Sequence, residues 1–494
     1  MTALRLLLPL ACVLITLWTS FKAHMAGQPM LALGLLAFGG IGVGIYATQR
    51  SLAWKYLFPG VAGMLVFMAV PLLVTVQMGF TNYSSAHLLT EERSRAYLLD
   101  QAEVDETRVF DSRVFADGGS HRVALASADG REQWLSAPFG AGGVVALQAG
   151  PAPAGEPLDL RALIALRPQL QALQLQLPDG TRLAYTGLRE FGLRHPLYTA
   201  QPDGSLRARD GSVYRADRDS GFFTSPSGDR LLPGFKVGIG WAHYERMLFD
   251  ADFRGPFVAI FVWTVAFAGL TVLFTTALGL ALAVVLEWEA LRGRSIYRTL
   301  LFLPYAVPGF ISILVFKGLF NQNFGEINAI LDALFGIRPA WFADPLLAKA
   351  MLLIVNTWLG YPYVMVLASG LIKSIPADLY EASAIAGAGP LTNFFRITAP
   401  LIARPLAPLL VASFAFNFNN FVLISLLTDG RPDFLNTKLP AGTNDILVSY
   451  TYRIAFTDAG QNFGLAAAIS TLIFVMVAVM AIVQLRLTRQ QSSR

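Results

Sequence analysis

One cysteine in 494 residues, Cys12, excludes an internal disulfide and any thiolate metal site within the chain. The five histidines (His24, His87, His121, His195 and His243) are scattered, with neither an HExxH pattern nor an i,i+4 pair, which leaves no histidine metal centre to argue for. No GxxxxGK[ST] phosphate loop occurs, so the chain brings no ATPase site and no bound cofactor of its own. Charge is scarce as well: 14% of residues are charged, against about a quarter in ordinary soluble domains. A net charge of +5 is too small for a nucleic-acid surface and suits short loops facing an anionic leaflet.

What fills the chain instead is apolar: 54% of residues are hydrophobic and mean hydropathy is +0.51. These residues gather in runs near the roughly 20 needed to cross a bilayer. Eight spans are predicted, at about 4–21, 29–48, 54–79, 257–286, 299–320, 350–372, 403–427 and 463–485. Arg5 followed by Leu6–Trp18 has the outline of a signal peptide, but the small-residue cleavage site is poor, and we read it as an uncleaved first span. Ionisable residues within spans are nearly absent. Lys317 sits close enough to a span end to snorkel, and Glu287 and Glu289 lie at another end, which disfavours a proton- or sodium-driven carrier.

Between the third and fourth spans the chain changes character. Residues 81–254 are polar and punctuated by turns such as Asp117-Gly-Gly, Asp129-Gly, Pro178-Asp-Gly and Pro202-Asp-Gly. Alternating runs at Arg122–Ala126 and Leu173–Leu177 separate them, so a β-rich domain is predicted, with 150–155 as an internal linker. The expected organisation is three N-terminal spans over 1–80, an insert over 81–254 and five spans over 255–494. Arg292, Arg294, Arg298, Lys373, Arg396 and Arg404 fall in the set of short loops that outweighs its opposite by about two to one in Lys and Arg. That bias places both termini in the cytoplasm and the insert outside.

Three segments carry chemistry. The first, 376–400, is polar between two apolar runs. Pro376-Ala-Asp378 signals a helix start, Gly387 and Gly389-Pro390 a break, and Asn393–Thr398 a second helix stopping at Pro400. A short helical knob of this kind suits a groove in a partner; the plain alternative is a connector. In the second, Ser413, Asn417 and Asn420 recur at i, i+4 and i+7 with Phe416 beside them, placing amides and an aromatic on one face at bilayer depth. Such a face suits a neutral polyhydroxylated solute; interhelical hydrogen-bond glue is the alternative. The third comprises Trp358-Leu-Gly360-Tyr361-Pro362-Tyr363 and Leu303-Pro304-Tyr305-Ala-Val-Pro308-Gly309, where Gly and Pro are expected to break helices lining a cavity.

The Glu381-Ala-Ser-Ala-Ile-Ala-Gly387 loop running on to Ile397-Thr-Ala-Pro400 resembles the "EAA" loop of ABC importer permeases. Together with Leu303–Pro308, Gly360–Tyr363, Phe414–Phe421 and Tyr450–Phe456, it makes the chain similar to the larger permease of maltose/maltodextrin importers. The binding-protein-dependent transport permeases are the wider family. The resemblance implies an α-helical polytopic membrane protein of the type I ABC importer permease fold with a β-rich periplasmic insert, seated in a bacterial inner membrane. It also implies its partners: a MalG-type second permease, two MalK-type ATPase subunits binding ATP and Mg, and a periplasmic maltose-binding protein that the insert helps hold. By the same resemblance Tyr305, Leu359, Gly360, Tyr363, Ser413, Phe416, Asn417 and Asn420 form the sugar site, and Glu381, Ala382, Ser383 and Gly387 couple to the ATPase. A permease for another disaccharide or oligosaccharide is the alternative. A membrane receptor is disfavoured because the cytoplasmic segments are only loops.

Overall fold

The computed structural model describes residues 2–47, 52–140, 142–288, 290–435, 437, 440–458 and 460–492. Glu289, named above at a span end, lies outside them. The chain divides into two compact units, one built from Thr81–Gly240 with a short later segment, the other from the remainder.

In the membrane unit, length and apolarity produce helices because a bilayer offers no water to satisfy backbone groups. Six described helices are long and apolar enough to cross: α2 (Pro29–Ala47), α3 (Leu52–Met78), α4 (Ala251–Leu286), α8 (Pro345–Lys373), α10 (Pro390–Phe418) and the apolar part of α13 (Phe463–Ser492). Two shorter apolar helices join them, the Leu10–Met25 part of α1 (Thr2–Met25) and α7 (Gly309–Leu319). The remaining helices of interest are short: α5 (Arg294–Leu301), α6 (Leu303–Ala306), α9 (Ala377–Ile385), α11 (Phe421–Leu427) and α12 (Leu447–Tyr452). Helices α4 and α8 pack closely because Gly279 has no side chain: a Cβ there would stand 2.8 Å from Val364 Cβ. Around that seam Trp263, Phe267, Ile313, Met351, Val355, Leu423 and Ile424 are buried together.

Three expectations about helix continuity change and one holds. The fifth span is broken as predicted, with α5, α6 and α7 following one another and Val307 extended before Pro308. The sixth is not: α8 runs unbroken through Gly360 and Pro362. The helix expected to stop at Pro400 instead passes through it. Ahead of that proline the Phe394–Thr398 turn is widened to π geometry, with the Ala399 amide donating to Phe394 O, which relieves the crowding a proline imposes on the turn before it. The Leu65–Ala69 turn is widened in the same way ahead of Pro71. The seventh span, read as continuous over 403–427, is divided into α10 and α11.

The insert unit contains a closed barrel of seven strands, β1 (Ala102–Asp117), β2 (Ser120–Ser127), β3 (Gln133–Ser136), β4 (Gly143–Ala149), β5 (Leu173–Gln176), β6 (Arg182–Gly187) and β7 (Glu190–Pro196). Neighbours are antiparallel except β4 and β5, whose parallel pairing is bridged by the 160–171 helix. Leu163, Leu166 and Leu170 of that helix join Val123, Leu125, Leu173, Leu175, Leu183 and Phe191 in one core. A second sheet of five short strands, order β12-β11-β10-β9-β8 (β8 Tyr198–Ala200, β9 Leu206–Ala208, β10 Val213–Asp217, β11 Phe222–Thr224, β12 Arg230–Leu231), has its own core of Leu98, Leu206, Phe223, Leu231 and Phe235. The unit closes at Gly240, whereas composition carried the insert on to residue 254; the 242–249 helix and the first turn of α4 belong to the membrane unit.

Candidate functional site

A cavity of about 670 Å³ opens among α4, α6, α8, α10 and α11. All eight residues expected at a solute site line it: Tyr305, Leu359, Gly360, Tyr363, Ser413, Phe416, Asn417 and Asn420. Their placement follows from local chemistry. The Pro308-Gly309 break turns the chain after α6 and leaves Tyr305 about half exposed at the wall. Gly360 lets α8 approach α4, since a Cβ there would meet Thr275 Cγ2 at 2.7 Å. Helix α10 ends at Phe418, and Asn420 starts α11 as its N-cap, its side chain accepting from Leu423 N at 3.4 Å. Asn420 is therefore not on one continuous helical face with Ser413 and Asn417. The three converge on the cavity because the chain breaks there.

The amides are joined by a residue that periodicity did not single out. Asn356, in mid α8 and buried, donates to Asn417 Oδ1 at 2.8 Å and to Thr271 Oγ1 at 3.1 Å. Asn420 Nδ2 donates to Asn356 Oδ1 at 3.3 Å, and Asn417 Nδ2 donates to Ser413 O at 2.8 Å. A lone asparagine inside an otherwise apolar run was the available signal. Asn417 and Asn356 are thus mainly bonded to the protein, while Phe416, Tyr305 and Tyr363 are exposed at 71%, 52% and 42%. The wall that results is aromatic and hydroxylic, backed by a satisfied amide network, and among the described residues carries no carboxylate or ammonium group. It can stack on the apolar face of a ring and exchange hydrogen bonds with hydroxyls.

The 376–400 segment forms the expected helical knob. Helix α9 ends in a Schellman turn: Gly387 takes φ +73°, its amide donates to Ala384 O at 3.0 Å, and the Ala388 amide donates to Ser383 O at 3.0 Å. The Ser383 hydroxyl donates to Asn393 Oδ1, and Tyr380 and Thr398 share a hydroxyl bond of 2.9 Å, so the two helical arms are tied across the turn. Glu381 and Ala382 are exposed, and Ile385 projects at 90% exposure.

A buried ion cluster between α11 and α13, its members within 20 residues of one another, escaped sequence reasoning because they lie outside the apolar spans and match no motif. Arg453 donates to Asp445 at 2.9 Å and to Asp433 at 2.7 Å, while Ser449 and the Gly442 amide donate to Asp445 at 2.7 and 2.8 Å. Burial raises the Asp445 carboxyl to about 6 in spite of the neighbouring guanidinium. Lys317, expected to snorkel, donates to Leu426 O at 3.1 Å.

Long apolar helices around an aromatic-walled cavity backed by amides, with an exposed helical knob between two of them, define a multi-pass membrane permease. The family model described as "Binding-protein-dependent transport system inner membrane component" matches residues 275–491. A second, "Maltose transport system permease protein MalF P2 domain", matches residues 89–240. The maltose/maltodextrin transport system permease protein MalF of Klebsiella aerogenes is 49% identical over 479 residues, 95% of this chain and 93% of that protein. MalF of Escherichia coli (strain K12) gives the same identity and coverage, and MalF of Yersinia pestis is 47% identical over 96% of this chain and 92% of its own length. The chain belongs to the MalF family of ABC transporter permeases.

Proposed function

We propose that this chain forms the translocation pathway for maltose and maltodextrins in an ATP-driven importer. The observation that carries the reading is the uncharged cavity in which Tyr305, Tyr363 and Phe416 present aromatic faces over an amide network, the chemistry of a neutral sugar ring. A volume of about 670 Å³ lies within the range of small-molecule sites. The names of the MalF relatives support the same cargo.

In this reading residues 1–80 supply three N-terminal spans, the Thr81–Gly240 unit the periplasmic insert that helps hold a sugar-loaded binding protein, and the chain from Trp241 onward the permease core, with both termini cytoplasmic. A MalG-type permease completes the pathway. Glu381, Ala382, Ser383 and Gly387 dock in one of two MalK-type ATPase subunits; the exposed acid and apolar tip of the knob support that role. Sugar enters when the ATPases close on ATP, bound with Mg by those subunits and not by this chain.

Two measurements test the reading. Vesicles holding this chain with its partner permease, ATPase and binding protein should accumulate labelled maltose, and failure with every maltodextrin offered would reassign the cargo. Glu381→Lys should abolish uptake while the protein still inserts; unchanged uptake would remove the knob from coupling.

A further inference from the structure

Glu287 caps the C-terminal end of α4, and its side chain is 9% exposed although it carries a carboxylate. Two cations from two other helices hold it. Arg298 of α5 donates to Oε1 at 2.7 Å, and the Lys373 ammonium, at the last residue of α8, stands 3.7 Å from Oε2. A buried carboxylate is costly unless paired, so the three helix ends are kept at the spacing that satisfies it. A second tie reinforces the first: Tyr361 Oη of α8 donates to Leu301 O at the end of α5, at 2.8 Å.

The position of this cluster along the chain gives it a direction. Lys373 is separated from α9, the helix that carries Glu381, only by Ser374, Ile375 and Pro376. Arg298 sits on α5, which leads through Phe302 into α6 and Tyr305 at the cavity wall. We propose that Glu287 is a positioning residue that links displacement of the Glu381 knob to the Tyr305 side of the cavity. The path runs from α9 through Lys373 to Glu287, and from Glu287 through Arg298 to α5 and α6. Both cations are about half exposed, so their heads are held by Glu287 without themselves filling the core. This inference rests on the coupling role proposed for the knob.

The test uses the complete transporter in vesicles, with sugar uptake and binding-protein-stimulated ATP hydrolysis measured on the same preparation. Glu287→Gln keeps the shape and removes the charge. It should lower sugar transported per ATP hydrolysed by about tenfold while hydrolysis stays within about twofold, a loss within the usual span of coupling between sites. Arg298→Met should lower the ratio in the same way, and Arg298→Lys should restore it. An unchanged ratio in Glu287→Gln, or uptake and hydrolysis falling in parallel, overturns the proposal. Should Glu287→Gln not assemble, Lys373→Met decides by the same criterion. Absence of any uptake by the unsubstituted chain sinks the importer reading itself, which keeps the two failures apart.

Discussion

Asn356 stands where the two sides of the cavity meet. Its amide gives hydrogens to Asn417 and Thr271 and accepts one from Asn420, so one side chain joins α4, α8, α10 and the cap of α11. Replacing it with alanine leaves the Asn417 oxygen unpaired in a buried place, at a cost of about 1–3 kcal/mol. Asn356→Ala should therefore lower the melting temperature in detergent and weaken sugar uptake together; an unshifted melt would mean that water replaces the amide. Asp445 makes a prediction in pH. Its folded pKa of about 6 lies above the ordinary carboxylate value, so the native state binds that proton more readily than the unfolded chain. The associated stability is fully present at low pH and is lost as pH rises through 6. The melting temperature of the native chain should thus rise relative to that of Asp445→Asn between pH 7.5 and 5, and parallel curves would contradict the assignment.

At the scale of elements, apolar runs located the helices because the bilayer permits nothing else, and turn dipeptides located the insert's strands because each needs a specific backbone. Break points were less legible. Proline and glycine were taken as the punctuation, yet α8 passes through Gly360 and Pro362, where a buried helix tolerates one missing donor. The break inside the seventh span falls between Asn419 and Asn420, with no proline near it, because an asparagine side chain competes for backbone hydrogen bonds and caps the next helix. All eight candidate cavity residues came together, while Asn356, Thr271 and Thr275 were missed, since single polar residues in a span carry no periodicity. The α4–α8 seam can be tested directly. Gly279→Val would place a Cβ 2.8 Å from Val364 and 3.0 Å from the Met365 amide, overpacking a close contact by about 1–3 kcal/mol. Its melt in detergent should fall, and a native-like value would show that the helices can part at little cost.

At the scale of the whole molecule, two units with separate cores are threaded on one chain, and the helical unit is interrupted after α3 to admit the other. Thr81–Gly240 produced alone should show a β-rich circular dichroism spectrum and a cooperative melt, because its barrel and second sheet each bury their own apolar side chains. A spectrum without structure would make the insert dependent on the helices. The closure of β1 through β7 has a consequence for biogenesis. A sheet joined to itself offers no unpaired strand to a neighbouring copy, so the barrel can wait, folded and unaggregated, while five later spans are still being threaded into the membrane. The order of the chain and the shape of the sheet together let the barrel be finished before the later helices are in place.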